Sequence, residues 1–394
     1  MPRVLRLINR LNLGGPTFNA AYLSRYLAPE YETLLVAGMI DDSEASSEFI
    51  LNEMGLKPMY IPEMFREINF VNDSRAYIRL KKIIRDFKPD IVHTHAAKAG
   101  AIGRMAARAC GVSAVVHTFH GHVFHSYFSK WKSNVFVNIE RQLAKRSNRI
   151  IAISQKQKRE LSDEFKICAS EKIEVIPLGF DLTKFRENKE EKRKKFRQAY
   201  KVEEDEIVIS IVGRLVPVKN HRLFLSAIAS VSKKTPKKIR AFIVGGGEEW
   251  NALHEYSRML SLNNNNNTNR KTGNPTITFT SWIKEVDEVY AGSDIVALSS
   301  LNEGTPVSII EALAGGKAIV TTDVGGISDI VLQGVNGFIV PSGDQSSFSE
   351  ALLKLIENPS LREAMENNDS DSVYEKFSYQ RLVEETRALY TRLI

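Results

Sequence analysis

The chain has 394 residues, more than one hydrophobic core usually serves, and its ordinary globular composition (43% hydrophobic, 26% charged) excludes a disordered or fibrous protein. No apolar run approaches the roughly 18 residues of a membrane span, and the N-terminal residues are broken by Arg3, Arg6 and Arg10, so a cytoplasmic protein without a signal-peptide core is expected. The net charge of +7 sits in one half: residues 1–181 hold 26 Lys+Arg against 19 Asp+Glu, while residues 182–394 hold 28 of each. A basic half can mean nucleic acid, an anionic membrane surface or acidic substrates; no DNA- or RNA-binding motif accompanies it, which disfavours nucleic acid, and a plain solvated surface is the commonest alternative. Cys110 and Cys168 have no metal or redox spacing and read as buried thiols.

In chain order, residues 4–8 read as a first strand, and the loop to Gly14-Gly15-Pro16 opens a helix running to about Leu27. That loop lacks the third glycine of a dinucleotide fingerprint and the Lys-Ser/Thr of a Walker loop, which disfavours NAD and ATP. Apolar strands at 33–37, 57–61, 90–93, 114–117, 149–154 and 174–177 then alternate with helices near 44–54, 73–87, 100–109, 138–146 and 156–165. Such alternation predicts a doubly wound parallel sheet whose ligands lie beyond the carboxyl ends of the strands. His93, His95 and Lys98 fall at one such end, and His117, His120 and His122 at another.

Six of the eight histidines lie between residues 93 and 125, so a metal site, and with it a metal-dependent hydrolase, has to be weighed. No Asp or Glu occurs between residues 91 and 139 to complete a ligand set, and no metal is expected. The aromatic stretch 119–137, with Lys130 and Lys132, is either an ordinary core helix or an interfacial segment that meets a lipid-linked acceptor.

The second half opens with a charged helix over 184–201, then a strand at 207–212 and the loop Gly213–Asn220. Arg214 and Lys219, five residues apart in that loop, can converge on one diphosphate. The Gly245-Gly246-Gly247 turn is read as chain reversal, and 263–274 as a low-complexity insertion, mobile and away from the active site. After a strand at 294–298, Pro306 stands where a helix takes its first residue. Val307, Ile310, Leu313 and Ala314 recur at helical spacing, and Gly315-Gly316 closes the helix. Free N–H groups at Gly304, Thr305 and Val307 then make a seat for phosphate. A carboxylate beside it would repel phosphate. Glu303 is therefore read as an acceptor for sugar hydroxyls and Glu311 for ribose hydroxyls, with a plain N-terminal helix acid and a surface acid as the alternative. Strands at 318–321 and 337–341, a turn at Gly325-Gly326, and helices at 345–357 and 379–393 finish the chain. The Asp369-Ser370-Asp371 triplet has a metal-binding spelling but lies among polar helix-end residues and is discounted.

The stretch Glu303 to Glu311, with Gly304 directly after the first acid, resembles the E-x7-E signature of the retaining nucleotide-sugar glycosyltransferases of family 4. Arg214 and Lys219, the His120-Gly121 segment and the first-strand glycines Gly14 and Gly15 match further motifs of that family in order. The resemblance implies the GT-B fold, two Rossmann-like doubly wound domains facing across a cleft. The first, 1–181, binds acceptor and is rejoined by the last helix, 376–394; the second, 182–375, binds the nucleotide-sugar. It implies that Glu303 contacts the donor sugar, Glu311 the ribose, and Arg214, Lys219 and the amides from Gly304 to Val307, around Pro306, the diphosphate. His120, or its rival His122, approaches the sugar, and Trp282 and Ile283 close over the base. His95, Lys98 and His122 are acceptor-side candidates. The expected activity is metal-independent hexosyl transfer, without a cofactor, from a UDP-sugar to a glycan or lipid-linked acceptor in surface polysaccharide, lipopolysaccharide or glycolipid assembly, by a cytoplasmic enzyme peripheral on the membrane. A nucleotide-sugar epimerase of the same fold is the main alternative.

Overall fold

The computed structural model describes residues 1–12, 15–40, 46–121, 130–264, 276–368 and 370–394. Gly14, His122, most of the Asn-rich stretch and Asp369 lie outside them. The chain divides into two compact units, one of Met1–Phe180 with Lys376–Ile394 and one of Asp181–Glu375.

The first unit is built on seven parallel strands, β1 (Arg3–Ile8), β2 (Glu32–Gly38), β3 (Met59–Ile61), β4 (Ile91–His95), β5 (Ala114–Phe119), β6 (Arg149–Ala152) and β7 (Ile173–Val175), in the order β3-β2-β1-β4-β5-β6-β7. The order reverses between β1 and β4, which makes the crevice beyond their carboxyl ends the natural ligand position. Every residue of β4 and β5 is buried, as helix-covered parallel strands require. Both strands end two residues beyond their expected ends, so His95, Thr118 and Phe119 are strand residues. The last helix, Tyr379–Thr391, belongs to this unit. Arg381 donates to the carbonyls of Pro177 and Leu178 at 2.8 and 2.9 Å, and Tyr379 stacks on Tyr22 with ring centroids 5.0 Å apart.

Two helices of this unit start earlier than their apolar periods, one of them through its cap. The helix Phe70–Phe87 begins three residues before its apolar period because the Asn69 side chain accepts from the Val71 and Asn72 amides. The helix Ala97–Ala109 likewise starts early and puts Lys98 in its first turn. Lys130–Lys145 is helical, with Val137 buried and Val135 and Ile139 exposed. Neither cysteine is buried; Cys110 and Cys168 are free and half-buried. Among the described residues no helix is long and apolar enough to cross a membrane.

The second unit repeats the plan with β8 (Glu206–Val212), β9 (Lys238–Val244), β10 (Asn263–Asn264), β11 (Thr276–Thr280), β12 (Ile295–Leu298), β13 (Ala318–Thr322) and β14 (Gly337–Val340), ordered β10-β11-β9-β8-β12-β13-β14 and all parallel. Here the reversal lies between β8 and β12. The charged run 184–201 forms two helices, Thr183–Arg186 and Lys189–Ala199, divided by extended Glu187, which ends the first, and Asn188 at φ 54°, which precedes the second. Asp371 ion-pairs with Arg186 at 2.5 Å.

Candidate active site

The loops that follow β8 and β12 flank the switch point of the second sheet, and they carry the residues singled out by sequence. Lys219 ends the short 3-10 turn Pro217–Lys219 after β8, and Glu303 lies in the loop after β12. Their side chains form an ion pair, Lys219 Nζ to Glu303 Oε1 at 2.5 Å, and Ser300 donates to the same oxygen at 2.6 Å. Backbone bonds tie the loops together. The Leu301 amide donates to the Val218 carbonyl (2.8 Å), and the Ser299 hydroxyl to the Lys219 carbonyl (3.0 Å). Arg214, in the loop after β8, is exposed and forms no ion pair among the described residues.

Pro306 is the cap rather than the first residue of the helix Val307–Ala314, its ψ of 104° being extended, and no side chain caps the helix. The amides of Gly304, Thr305, Val307 and Ser308 accordingly have no protein acceptor among the described residues, and the Thr305 hydroxyl is buried without a partner. A buried donor left unpaired costs free energy, so this end of the helix is built to receive an acceptor, and its dipole favours an anionic one.

Glu311, one turn after Val307 on that helix, is half-buried. Tyr290, fully buried at the end of the helix Val286–Gly292, donates its hydroxyl to Glu311 Oε2 at 3.1 Å. Burial pushes the Glu311 carboxyl up to about 7 against the opposing pull of Lys184 and the Tyr290 bond, with Asp287 adding to the rise.

Two glycine turns read as simple reversals prove to be close-approach points. A Cβ on Gly325, at φ 55°, would meet the Glu303 carbonyl oxygen at 2.0 Å, and the Gly326 amide donates to the Gly304 carbonyl at 2.8 Å. A Cβ on Gly245, at φ 142°, would meet the Gly213 carbonyl oxygen at 2.0 Å. The first turn therefore seats the Glu303 backbone and the second seats the loop of Arg214. Sequence reasoning missed these roles, together with Ser300 and Tyr290, because hydroxyls and turns become site residues only through neighbours distant in the chain. Trp282 is exposed, its indole Nε1 3.5 Å from where a Cβ of Gly246 would stand.

In the first unit the histidines form a core network. His93, His95 and His117 are fully buried. Arg6 donates to His93 Nδ1 at 3.0 Å, so that nitrogen is an acceptor and Nε2 carries the proton toward Thr118 Oγ1, 2.7 Å away. His117 Nδ1 meets Thr94 Oγ1 at 2.8 Å. His95 Nδ1 lies 2.9 Å from His120 Nε2, and the two rings stack. Burial holds all four imidazoles below their ordinary range, His120 down to about 3, so they are neutral. Among the described residues no three His, Cys, Asp or Glu side chains are arranged to hold a metal ion. Lys98 is half-hidden in an ion pair with Asp73 at 2.5 Å and donates to the Glu67 carbonyl. Gly15 opens the helix Gly15–Tyr26 after β1, at the carboxyl ends of the strands, where His95 and His120 also lie.

Comparison with known proteins fits this arrangement. Residues 13–184 match the family described as Glycosyltransferase Family 4, and residues 192–371 the family Glycosyl transferases group 1. The chain is 30% identical, over 86% of its length and 84% of the other's, to an Escherichia coli UDP-Gal:alpha-D-GlcNAc-diphosphoundecaprenol alpha-1,3-galactosyltransferase. It is 28% identical, over 85% of both chains, to the capsular polysaccharide biosynthesis glycosyltransferase CapM of Staphylococcus aureus. Anabaena HepE in complex with UDP shares the fold, with a TM-score of 0.82 and 20% identity over 99% of this chain and 100% of that one. The chain therefore belongs to the family 4 glycosyltransferases, a nucleotide-sugar-dependent enzyme with the GT-B fold.

Proposed function

We propose that the enzyme is a retaining, metal-independent hexosyltransferase that takes a sugar from a UDP-sugar and places it on a lipid-linked or glycan acceptor in surface-polysaccharide or lipopolysaccharide assembly. The observation that carries the donor half of this reading is the Lys219–Glu303 pair beside an uncapped helix N-terminus with an orphan Thr305 hydroxyl. Phosphate oxygens supply the acceptors that Thr305 and the Gly304, Thr305 and Val307 amides lack, while Lys219 and Arg214 balance the charge. Glu303, next to Lys219, takes the sugar hydroxyls. An ionised Glu311 takes the ribose hydroxyls. As the bond from the sugar to the diphosphate breaks, the same cations and dipoles stabilise the departing charge, and an acceptor hydroxyl attacks from the same face.

The second unit is thus the donor-binding domain and the first the acceptor-binding one. His120 approaches the sugar, His95 holds His120, and Gly15 belongs to the loop that meets the phosphates. UDP complexes of the HepE structure and the undecaprenol-linked substrate in the Escherichia coli relative's name support the donor and acceptor classes. The basic first half supports contact with an anionic membrane at the cytoplasmic face. Product analysis with a panel of labelled UDP- and GDP-sugars on membrane lipids tests the whole. Transfer from a UDP-sugar to a lipid, with the anomeric configuration kept, is expected. Transfer from GDP-sugars alone, or an inverted product, overturns the reading.

A further inference from the structure

In the segment from Glu63 to Arg85 of the first unit, polar clamps fix a loop and a helix that leave several large apolar side chains exposed. Arg79 donates twice to Glu63, at 2.8 and 2.6 Å. Lys98 pairs with Asp73 and reaches the Glu67 carbonyl, and the Asn69 amide donates to Asp73 at 3.1 Å. These clamps fasten the loop to the start of the helix Phe70–Phe87. Held out by them, Ile68, Phe70, Val71 and Ile78 are 64, 85, 61 and 67% exposed, and Phe65 is exposed beside them. Five of the eighteen exposed large hydrophobics among the described residues thus fall within 65–78. Single exposed apolar residues need no explanation, but a cluster fixed in place does.

Along the helix, Val71, Arg75, Ile78, Lys82 and Arg85 follow at spacings of four and three and form one stripe, opposite Ala76, Leu80 and Ile84 in the core. Packing accounts for the inner stripe only. Apolar side chains interleaved with cations are the pattern of a helix lying in a lipid interface, where Phe, Val and Ile enter the acyl boundary and Arg and Lys meet phosphate headgroups. We propose that this stripe and the loop before it are the surface by which the enzyme sits on an anionic bilayer. The proposal rests on the membrane-borne acceptor inferred above and names a surface distinct from the aromatic stretch 119–137. A second copy of the chain is a poor occupant, because a symmetric contact would set Arg75, Lys82 and Arg85 against their own counterparts.

The test is flotation of the full chain with vesicles of phosphatidylcholine alone and of phosphatidylcholine with phosphatidylglycerol. The wild type is expected to float with the anionic vesicles and to lose binding as salt rises. Phe70→Ser with Ile78→Ser should lower the bound fraction on the order of tenfold or more. Arg75→Glu with Lys82→Glu should remove the preference for anionic lipid. Met259→Ser, 74% exposed on the other unit, should change nothing. A wild type that stays with the buffer, or an apolar double variant that floats like it, overturns the proposal. So does a double variant whose only change is a smaller mass in light scattering, which would assign the surface to a protein contact. UDP-induced thermal stabilisation and transfer to a water-soluble acceptor analogue should persist in every variant. Their absence in the wild type would strike the functional reading and leave the flotation result standing.

Discussion

Lys219 Nζ and Glu303 Oε1 lie 2.5 Å apart at the carboxyl ends of two neighbouring parallel strands, both side chains largely withdrawn from water. The pair reconciles two roles that oppose each other electrostatically. A carboxylate next to a diphosphate site would repel it, and in the proposed site the ammonium stands at the carboxylate and screens it. Glu303→Gln is expected to lower turnover by on the order of 10²-fold or more while leaving UDP affinity nearly intact. Steady-state rates with a competent donor and UDP titration calorimetry check it, and a fully active variant sinks the assignment.

Lys219→Ala and Arg214→Ala should each weaken UDP binding and turnover together, since the same charges hold the bound and the departing diphosphate. Lys219→Ala should be the more harmful, because it also leaves Glu303 partly buried without its cation. Unchanged UDP affinity in both variants would place the diphosphate elsewhere.

UDP is expected to raise the melting temperature by several degrees at saturation, equally with EDTA and with magnesium, and transfer should persist in EDTA. In the proposed site Arg214, Lys219 and the helix N-terminus balance the diphosphate charge. A shift or an activity that needs added divalent metal contradicts the proposed mechanism.

With Glu311 at the proposed ribose site, its carboxyl, raised to about 7 by burial, should give UDP binding a pH dependence. The ionised form is the stronger acceptor of ribose hydroxyls, so affinity should rise as pH rises through about 7 and level off above it. Glu311→Gln should bind more weakly and lose that slope. For stability the sign is opposite. A carboxyl whose folded value is raised favours the fold below its unfolded value, and that contribution is lost as pH rises through about 7. The buried histidines of the first unit act in the other direction, since His93, His95, His117 and His120 are neutral when folded but protonate when unfolded below about 6.5. Their contribution is present above that value and fades on acidification. Thermal melts across this range should show the first unit losing stability as pH falls, and a first unit indifferent to acid would contradict the buried network.

His95 is expected to act through His120 rather than on substrate. Its Nδ1 lies 2.9 Å from His120 Nε2, so one of the two rings donates to the other, while His95 Nε2 and His120 Nδ1 are both buried without a partner. Asn at 95 can supply that hydrogen bond from its amide, and Ala cannot. His95→Asn should retain most turnover where His95→Ala loses it, with UDP affinity equal in both. Equal loss in the two variants would reduce His95 to packing.

Sequence alone determined the parts of this protein that are local. Apolar runs and helical periods gave two alternating α/β halves, Pro306 and Gly315-Gly316 bracketed the helix that Glu303 precedes and Glu311 occupies, and the charge split marked the basic half. Those features depend on neighbours a few residues away. Tertiary structure decided what depends on strands coming side by side. It joined Lys219 to Glu303 across 84 residues, set Tyr290 on Glu311, and turned Gly325 and Gly245 from punctuation into contact points. It also drew His93, His95 and His117 into the core, where His93 Nε2 meets Thr118, His117 Nδ1 meets Thr94 and His95 Nδ1 meets His120, and it folded Lys98 back onto Asp73. Burial and pairing are properties of the packed sheet, and no window of sequence contains them.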